Sequence, residues 1–459
     1  MRSRLIRTLG LAACVLGLVA VAPAASAGHK TDPHTKNLHP LGHIEEPRSL
    51  INPRVGNTNI HTDIAFWGKL AFQGNWDGFT IRDIASSGNP KTISHTSCDG
   101  NQGDIVVWEN ILVRSWNTPA GTPGPFGAGL TCDGEAVAAG FEGVHVFDLS
   151  NRSNPVLVAD VPLRCGSHTA TAVPDPANGR LLVYSSAVDV NCPGFDVIEV
   201  PLDDPGAASH VREVEGEMMC HDIGVILGDA MKAACAGHHG PQVYDIGGDG
   251  GGSLDDPALL WHAEIPGVDP GHSAAWTWDG KVVVFGWEPG GGVQAKCQQT
   301  STDLERTLFF FDGATGDELG RFVFTRFQGP TENCTLHNYN VVPLRSGNYV
   351  LVHGSYQAGT GVIDFTDLAN AREIAWSDPP PLPTVPEFPV FCDPDGPGGQ
   401  PALGCDIGGA WSSYWYNNRI YESNITEGLN IFRFSGRQTA GALRLGHLNP
   451  QTQEFTLNG

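Results

Sequence analysis

The chain has 459 residues, of which 41% are apolar, so it can bury a large core and is too apolar for global disorder. Its formal net charge of −23 excludes nucleic acid and anionic membrane surfaces as expected partners, because both require a basic face. A cation is the more natural ligand. The 58 Gly and 33 Pro favour a protein made of short strands and many turns.

Residues 1–27 have the layout of a cleaved secretory signal peptide. Arg2, Arg4 and Arg7 precede an apolar stretch, and Ala25-Ser26-Ala27 forms an A-x-A-like cleavage site. No later run reaches the roughly 18 apolar residues of a membrane span. We therefore expect a secreted, soluble monomer, with residues 28–37 as a mobile N-terminus.

Ten cysteines follow the predicted cleavage site, and they fall into neighbouring pairs. An even count in an exported chain predicts disulfides, and local pairing is the simplest connectivity. There is no C-x-x-C motif, so the sequence supports neither a thioredoxin-like site nor c-type haem attachment. The pairs are Cys98 and Cys132, Cys165 and Cys192, Cys220 and Cys235, Cys297 and Cys334, and Cys392 and Cys405.

Short strand-like runs of similar composition recur between residues 38 and 435, and several of them end in Asp. They are GFTIRDI from Gly78, GVHVFDL from Gly143, FDVIEV from Phe195, PQVYDI from Pro241, LFFFDG from Leu308, GVIDF from Gly361 and GLNIFRF from Gly428. Each is expected to be the third of four strands, which predicts an all-β, seven-bladed β-propeller. The stretch HPLGHI, residues 39–44, is expected to supply the outer strand of the last blade. Residues 436–459 are a C-terminal tail without an assigned role.

Two of these repeats extend into longer units, GVHVFDLSNRSNPVLVADV and GVIDFTDLANAREIAW. They resemble the repeats of bacterial LVIVD-repeat proteins, and the similarity covers roughly residues 38–435. The resemblance implies an exported propeller. The family as a whole has no agreed activity, so the resemblance assigns no catalytic residue.

Four repeats carry a histidine at the head of their first strand: His168, His221, His272 and His337. The first strand of each propeller blade lines the central channel, so we expect these four side chains at one mouth of it. Thr62, Gly103 and Trp411 hold the equivalent position in the other repeats. His61 is one residue out of register, and a shift of one reverses the face of a strand.

Further polar residues are expected near the same mouth. Asp63, Asp104 and Asp222 occupy the next position along their strands, and the loops between second and third strands offer His238, Glu288 and Glu422. Imidazole and carboxylate together are ligands for zinc, copper, iron or manganese. A bland alternative is a water-filled channel in which the histidines bond neighbouring strands and water.

The sequence predicts a binding protein whose acidic, His-lined channel mouth holds a metal ion, a small molecule or a protein ligand. Two alternatives remain open. One is a metal-dependent hydrolase or oxidase that uses the histidine arc and an open coordination position. The other is a structural interaction module of the cell envelope. G-x-S-x-G, P-loop and H-E-x-x-H motifs are absent from the chain, so the commonest hydrolase and nucleotide-binding signatures are missing.

Overall fold

The computed structural model describes residues 30–44, 60–123, 127–381 and 408–457. The predicted signal peptide and the pair Cys392 and Cys405 lie outside these ranges. Within them, no helix is long and apolar enough to cross a membrane. The regular structure is almost entirely β, which confirms the predicted class. The helices are short 3-10 segments: Pro176–Asn178, Pro205–Ala207, Leu304–Arg306, Leu368–Asn370 and Arg437–Thr439.

In the described ranges, four sheets have four strands, one has five and one has eight, and the strands are grouped here into seven antiparallel four-stranded units, numbered in chain order. The first strand of the chain, β1 (Leu38–Ile44), belongs to unit 7. Unit 1 contains β2 (His61–Trp67), β3 (Leu70–Asn75), β4 (Gly78–Asp83) and β5 (Lys91–Ser97). Unit 2 contains β6 (Gln102–Trp108) and β7 (Ile111–Trp116), then, after the ribbon β8 (Thr131–Cys132) and β9 (Glu135–Ala136), β10 (Gly143–Asp148) and β11 (Val156–Pro162).

Units 3 and 4 share one long strand. Unit 3 begins with β12 (Thr169–Asp175), β13 (Arg180–Ser186) and β14 (Pro193–Pro201), and its fourth strand is the first part of β15 (Ser209–Ile226). The second part of the same 18-residue strand is the first strand of unit 4. That unit continues with β16 (Lys232–Gly237), β17 (Gly240–Asp245) and β18 (Ala258–His262).

The last three units follow the same order. Unit 5 contains β19 (Gly271–Trp276), β20 (Val282–Trp287), β21 (Thr307–Asp312) and β22 (Glu318–Val323). Unit 6 contains β23 (Tyr339–Val341), β24 (Val350–Gly354), β25 (Thr360–Asp364) and β26 (Arg372–Ser377). Unit 7 contains β27 (Ala410–Tyr416), β28 (Arg419–Asn424) and β29 (Gly428–Phe434), and β1 pairs with β29 as its outer strand, where the sequence predicts it.

The first strand of each unit, called here the inner strand, and the next two strands are almost entirely buried, whereas the outer strands are partly exposed. Every residue of β20 (VVVFGW) is buried, but β11 exposes every second residue along most of its length. This burial follows from packing, because Val283 and Phe285 of β20 pack toward unit 4 and Val282 and Val284 pack toward unit 6. Close packing also explains why glycine begins several of the third strands. A Cβ on Gly78 or Gly143 would lie about 2 Å from a carbonyl oxygen of the adjacent outer strand.

Hydrophobic clusters lie between consecutive units. Phe72 of unit 1 packs with Leu112 of unit 2, for example, and the same pattern joins each later pair. A further cluster joins unit 7 to unit 1, where Tyr421 packs against Phe66. The inner strands of these two units also meet, since the Tyr414 hydroxyl donates to Asp63 Oδ2 at 2.9 Å.

The C-terminal tail crosses the ends of the inner strands that lie farthest from the histidines. Its short strands β30 (His447–Leu448) and β31 (Thr452–Gln453) pair with β2 and β15. Between them, the Asn449 side chain accepts from Val107 N at 2.8 Å and donates to Val107 O at 2.9 Å. The tail, which the sequence leaves without a role, therefore caps one end of the inner strands.

Disulfides and the hydrogen bonds of the N-terminal segment provide further links within the chain. Four disulfides join the neighbouring pairs that the sequence predicts: Cys98–Cys132, Cys165–Cys192, Cys220–Cys235 and Cys297–Cys334. At the N-terminus, Thr35 N donates to Trp376 O and the Asn37 amide to Ile374 O, each at 3.0 Å. Residues 34–37, which we predicted to be mobile, thus lie along β26.

Candidate metal centre

The four predicted histidines form a continuous arc. His168 and His337 lie just before their inner strands, and His221 and His272 lie within β15 and β19. Ring centroids are 4.6 Å apart for His168 and His221, 4.0 Å for His221 and His272, and 4.2 Å for His272 and His337. The repeat register therefore brings the imidazoles of four consecutive units side by side.

The arc borders a cavity of about 410 Å³. Its lining combines imidazoles, carboxyl groups, amides and aromatic rings. The residues with polar or aromatic side chains are Thr62, Asp63, Trp76, Asn101, Gln102, Asp104, Asn117, Thr118, His168, Thr169, His221, Asp222, His272, Glu288, His337, Asn338, Tyr356 and Trp411.

In two histidines the lone pair of Nε2 is available to a ligand, because Nδ1 carries the proton and faces an acceptor. His337 Nδ1 faces the carbonyl oxygen of Trp411, which can only accept, so Nδ1 carries the proton. His221 Nδ1 lies 3.1 Å from Asp222 Oδ1 and donates to this carboxylate in the same way. Metal-binding histidines are typically oriented like this, with the second nitrogen tied to a carboxylate or carbonyl.

The same tautomer follows for His272 from the bonds of Ser273. His272 Nδ1 lies 2.6 Å from Ser273 Oγ, which is itself 2.9 Å from the carbonyl oxygen of His337 and 3.0 Å from Asn338 Oδ1. With Asp222 Oδ2 at 3.3 Å as a third acceptor near Ser273 Oγ, the arrangement favours donation from His272 Nδ1 to Ser273 Oγ. Three adjacent imidazoles consequently have Nε2 available as a ligand.

Burial disfavours the charged form of His168, His272 and His337. It lowers the pKa of His337 to about 3, and it lowers the pKa of His168 and His272 well below the usual value. Neighbouring histidines lower all three further, because each would repel a second positive charge. Neutral imidazole is the form that binds a metal ion.

Glu288 completes the group from the loop after β20. Its Oε1 lies 3.5 Å from His337 Nε2 and accepts a hydrogen bond of 2.5 Å from the Tyr356 hydroxyl. Burial raises the pKa of Glu288. An imidazole lone pair and a carboxyl oxygen at this distance repel each other unless a proton or a cation lies between them.

The potential ligand atoms fall into two overlapping groups. In each group, one atom per residue lies within 4.8 Å of the others: His221, Asp222 and His272 in the first, and His272, Glu288 and His337 in the second. His272 belongs to both. His168 lies outside both groups, and its Nε2 is 3.3 Å from the side-chain amide nitrogen of Gln102.

Two predicted acids, Asp63 and Asp104, line the cavity beside units 1 and 2. Asp63 accepts from Ile64 N, the Tyr414 hydroxyl and the Gln451 amide, and burial raises its pKa to about 6. Asp104 accepts from the backbone N–H groups of Ile105 and Ala170. Burial, reinforced by the charge of Asp63, raises the pKa of Asp104 well above its usual value.

Three other predicted residues are not among the described residues that line the cavity. His61 is buried beside Thr62, with its neighbours Ile60 and Thr62 in the lining instead. His238 pairs with Asp269 at 2.6 Å. Glu422 is buried and accepts from Thr360, Asn424 and Asn430.

The sequence reasoning missed Tyr356 and the place of Trp76 in the cavity wall. Both lie in loops between second and third strands, the same kind of loop that supplies Glu288. Applying that loop rule to every repeat would have found them. Tyr356 also has a positive φ of 50°, a conformation that is uncommon for a bulky residue and that the sequence does not reveal.

Comparisons with known proteins give fold-level likenesses only. No family model matches the chain, and no curated protein matches it. Among solved structures, the chain is similar to the computationally designed Ika8 protein (12% identity, 86% of this chain and 99% of that one, TM-score 0.43). It is also similar to the WD40 β-propeller domain of Doa1 (9%, 83% and 99%, 0.45) and to the β-propeller domain of Myceliophteria thermophila Cps50 (Swd1) (11%, 87% and 99%, 0.46). At TM-scores below 0.5 these likenesses carry no argument, and the fold description rests on the strand pairing.

Proposed function

We propose that this protein is an exported, seven-bladed β-propeller that binds one transition-metal ion at the mouth of its channel. His221, His272, His337 and Glu288 are the proposed ligands. The observation that carries the proposal is the common placement of the three Nδ1 atoms, each within hydrogen-bond distance of an oxygen atom. Each has Nδ1 tied to an acceptor and Nε2 available, and Glu288 Oε1 lies 3.5 Å from one of these Nε2 atoms.

Three observations support the propeller and its export. The seven units have the strand order of propeller blades, and β1 supplies the outer strand of the unit that contains β29. The cluster between units 7 and 1 supports a closed ring. The four disulfides are consistent with an oxidising, extracellular compartment. The proposal includes the resemblance of the sequence repeats to those of LVIVD-repeat proteins.

The ligand set limits which metal the site would hold. Imidazole suits zinc, copper and iron, and a hard carboxylate oxygen broadens the choice to manganese. A metal-dependent hydrolase or oxidase is the second candidate, and the cavity of about 410 Å³ next to the ligands favours it. Such a volume lies in the range of small-molecule sites.

The test is titration of the metal-free mature protein with zinc and with copper. We expect one ion per chain. His272→Ala, which removes the ligand common to both groups, should weaken binding at least 100-fold while the far-ultraviolet circular dichroism stays unchanged. The matched control is His262→Ala, an exposed histidine on β18, which should bind like the unaltered protein. Equal affinities in all three proteins would refute the proposal.

A further inference from the structure

The part of the cavity wall that units 1, 2 and 7 contribute is acidic and aromatic. Units 1, 2 and 7 contribute Asp63, Asp104 and Trp411, and the loop of unit 1 adds Trp76. With Asp222 and Glu288, four carboxyl groups line the cavity. No Lys or Arg is found among the described lining residues.

Within the described part of the chain, the two acids on this wall have no cationic hydrogen-bond partner. Asp63 and Asp104 bond there to neutral groups: backbone N–H groups, a phenol and an amide. Buried carboxyl groups of this kind are normally paired with a cation, because burial of an unpaired charge is costly. The raised pKa values of both groups have that cause.

Aromatic rings line the same cavity as these acids. Trp411 packs against a cluster that contains Trp76 and Tyr356, and its ring meets that of Tyr356 at 87°, with centroids 6.3 Å apart. Trp411 is partly exposed, so part of its surface remains accessible to a ligand. Tryptophan faces are the preferred aromatic surface for organic cations.

We infer that the cavity binds a small organic ammonium ion, held by the carboxyl groups of Asp63 and Asp104 and by the indole of Trp411. The inference rests on the proposed function in one respect, because the ammonium ion would lie beside the metal centre in the same cavity. Glu288 and Asp222 balance the charge of a divalent metal, and the two remaining acids balance the organic cation.

The test compares three ligands of one shape and different charge: benzylammonium, benzyl alcohol and benzoate. Binding is measured by isothermal titration calorimetry to the mature protein, both metal-free and loaded with zinc. We expect benzylammonium to bind at least tenfold more tightly than either of the other two. The inference would be overturned if benzoate or benzyl alcohol bound as tightly as benzylammonium. It would also be overturned if none of the three ligands bound.

Variants distinguish binding of benzylammonium at this subsite from nonspecific binding of a cation to an acidic protein. Trp411→Leu keeps the backbone carbonyl that orients His337 and should weaken benzylammonium at least fivefold, as should Asp104→Asn. Trp261→Leu on the outer strand β18 is the matched control and should not change it. Weakening by the control alone would refute the assignment. The zinc stoichiometry of the same samples is read separately, so failure of the metal site is distinguishable from failure of the ammonium subsite.

Discussion

The two ends of the inner strands use the same backbone in different ways. At one end, the strand heads and the adjoining loops present imidazoles and carboxyl groups to a cavity. At the other end, the tail satisfies the inner strands directly. Thr452 Oγ1 donates to Ala172 O at 2.7 Å, and the Gln453 amide donates to Trp276 O at 2.6 Å. One end is arranged for a ligand, and the other is completed by the chain itself.

Gln451 connects the two ends. Its amide donates to Asp63 Oδ2 at 2.7 Å, so a residue of the tail contacts an acid that lines the cavity. The difference between the ends therefore concerns what each contributes. The tail should contribute mainly to stability, and the histidine end mainly to binding.

The largest expected effect is the loss of the tail. A chain that ends at Leu445 loses the buried side chains of Leu448 and Leu457 and both bonds of Asn449. Two buried leucines at about 2 kcal/mol each, with hydrogen bonds at about 1 kcal/mol each, predict a loss of about 5 kcal/mol or more in the free energy of unfolding. Urea denaturation measures it.

The same truncated chain should still bind zinc within about tenfold of the full chain, since none of the four proposed ligands bonds to the tail in the described structure. Thr456→Ala serves as the control for stability, because Thr456 is only half-buried and the hydrogen bonds between its hydroxyl and Asp229 are both long, at 3.4 Å. An unchanged urea midpoint after truncation would contradict the assignment of stability to the tail. Loss of zinc binding by a truncated chain that remains folded would contradict the assignment of binding to the histidine end alone.

A smaller effect concerns pH and Asp63. Its pKa is about 6 in the folded chain and about 3.8 when unfolded, so the folded state binds more protons between these values. Stability from this group is therefore present below pH 4 and lost as the pH rises to about 6, by about 3 kcal/mol at 1.36 kcal/mol per pKa unit. Asp63→Asn should flatten this part of the pH–stability curve, whatever its effect on absolute stability. A curve of the same slope in both proteins would contradict the assignment.

The smallest expected effect is that of Tyr356→Phe. The variant keeps the ring that packs on His337 and loses only the hydroxyl that donates to Glu288. Removal of such a supporting bond typically costs about tenfold or more in metal affinity. We expect about tenfold weaker zinc binding and little change in the melting temperature. The matched control is Tyr349→Phe, which removes the hydrogen bond from the Tyr349 hydroxyl to Asp279. It should leave zinc affinity unchanged.

Features that repeat along the chain were predictable, and features that arise from single loops were not. The third strands and the histidine heads recur with one hydrophobic pattern, so their place in each unit follows from the sequence. Glu288 and Tyr356 meet only because two loops of different units converge. The course of the tail depends on pairing between residues more than 300 positions apart in the chain, such as Asn449 and Val107, and local patterns carry no information about it.

His61 and Glu422 illustrate the limits of the repeat argument. Both residue types suit a metal site, but a single step along β2 turns a side chain to the other face. Glu422 lies in β28 rather than in the loop that follows it, and its hydrogen bonds go to Asn424, Asn430 and Thr360. Composition identified candidates, and strand register decided which of them reach the cavity.

The most direct test of the metal centre is elemental analysis of the natively exported protein beside a His221→Ala/His272→Ala double variant. The account predicts close to one copper, zinc, iron or manganese ion per chain, lost in the folded double variant. A protein that contains no transition metal, and that stays empty after equilibration with each of the four ions, would contradict it.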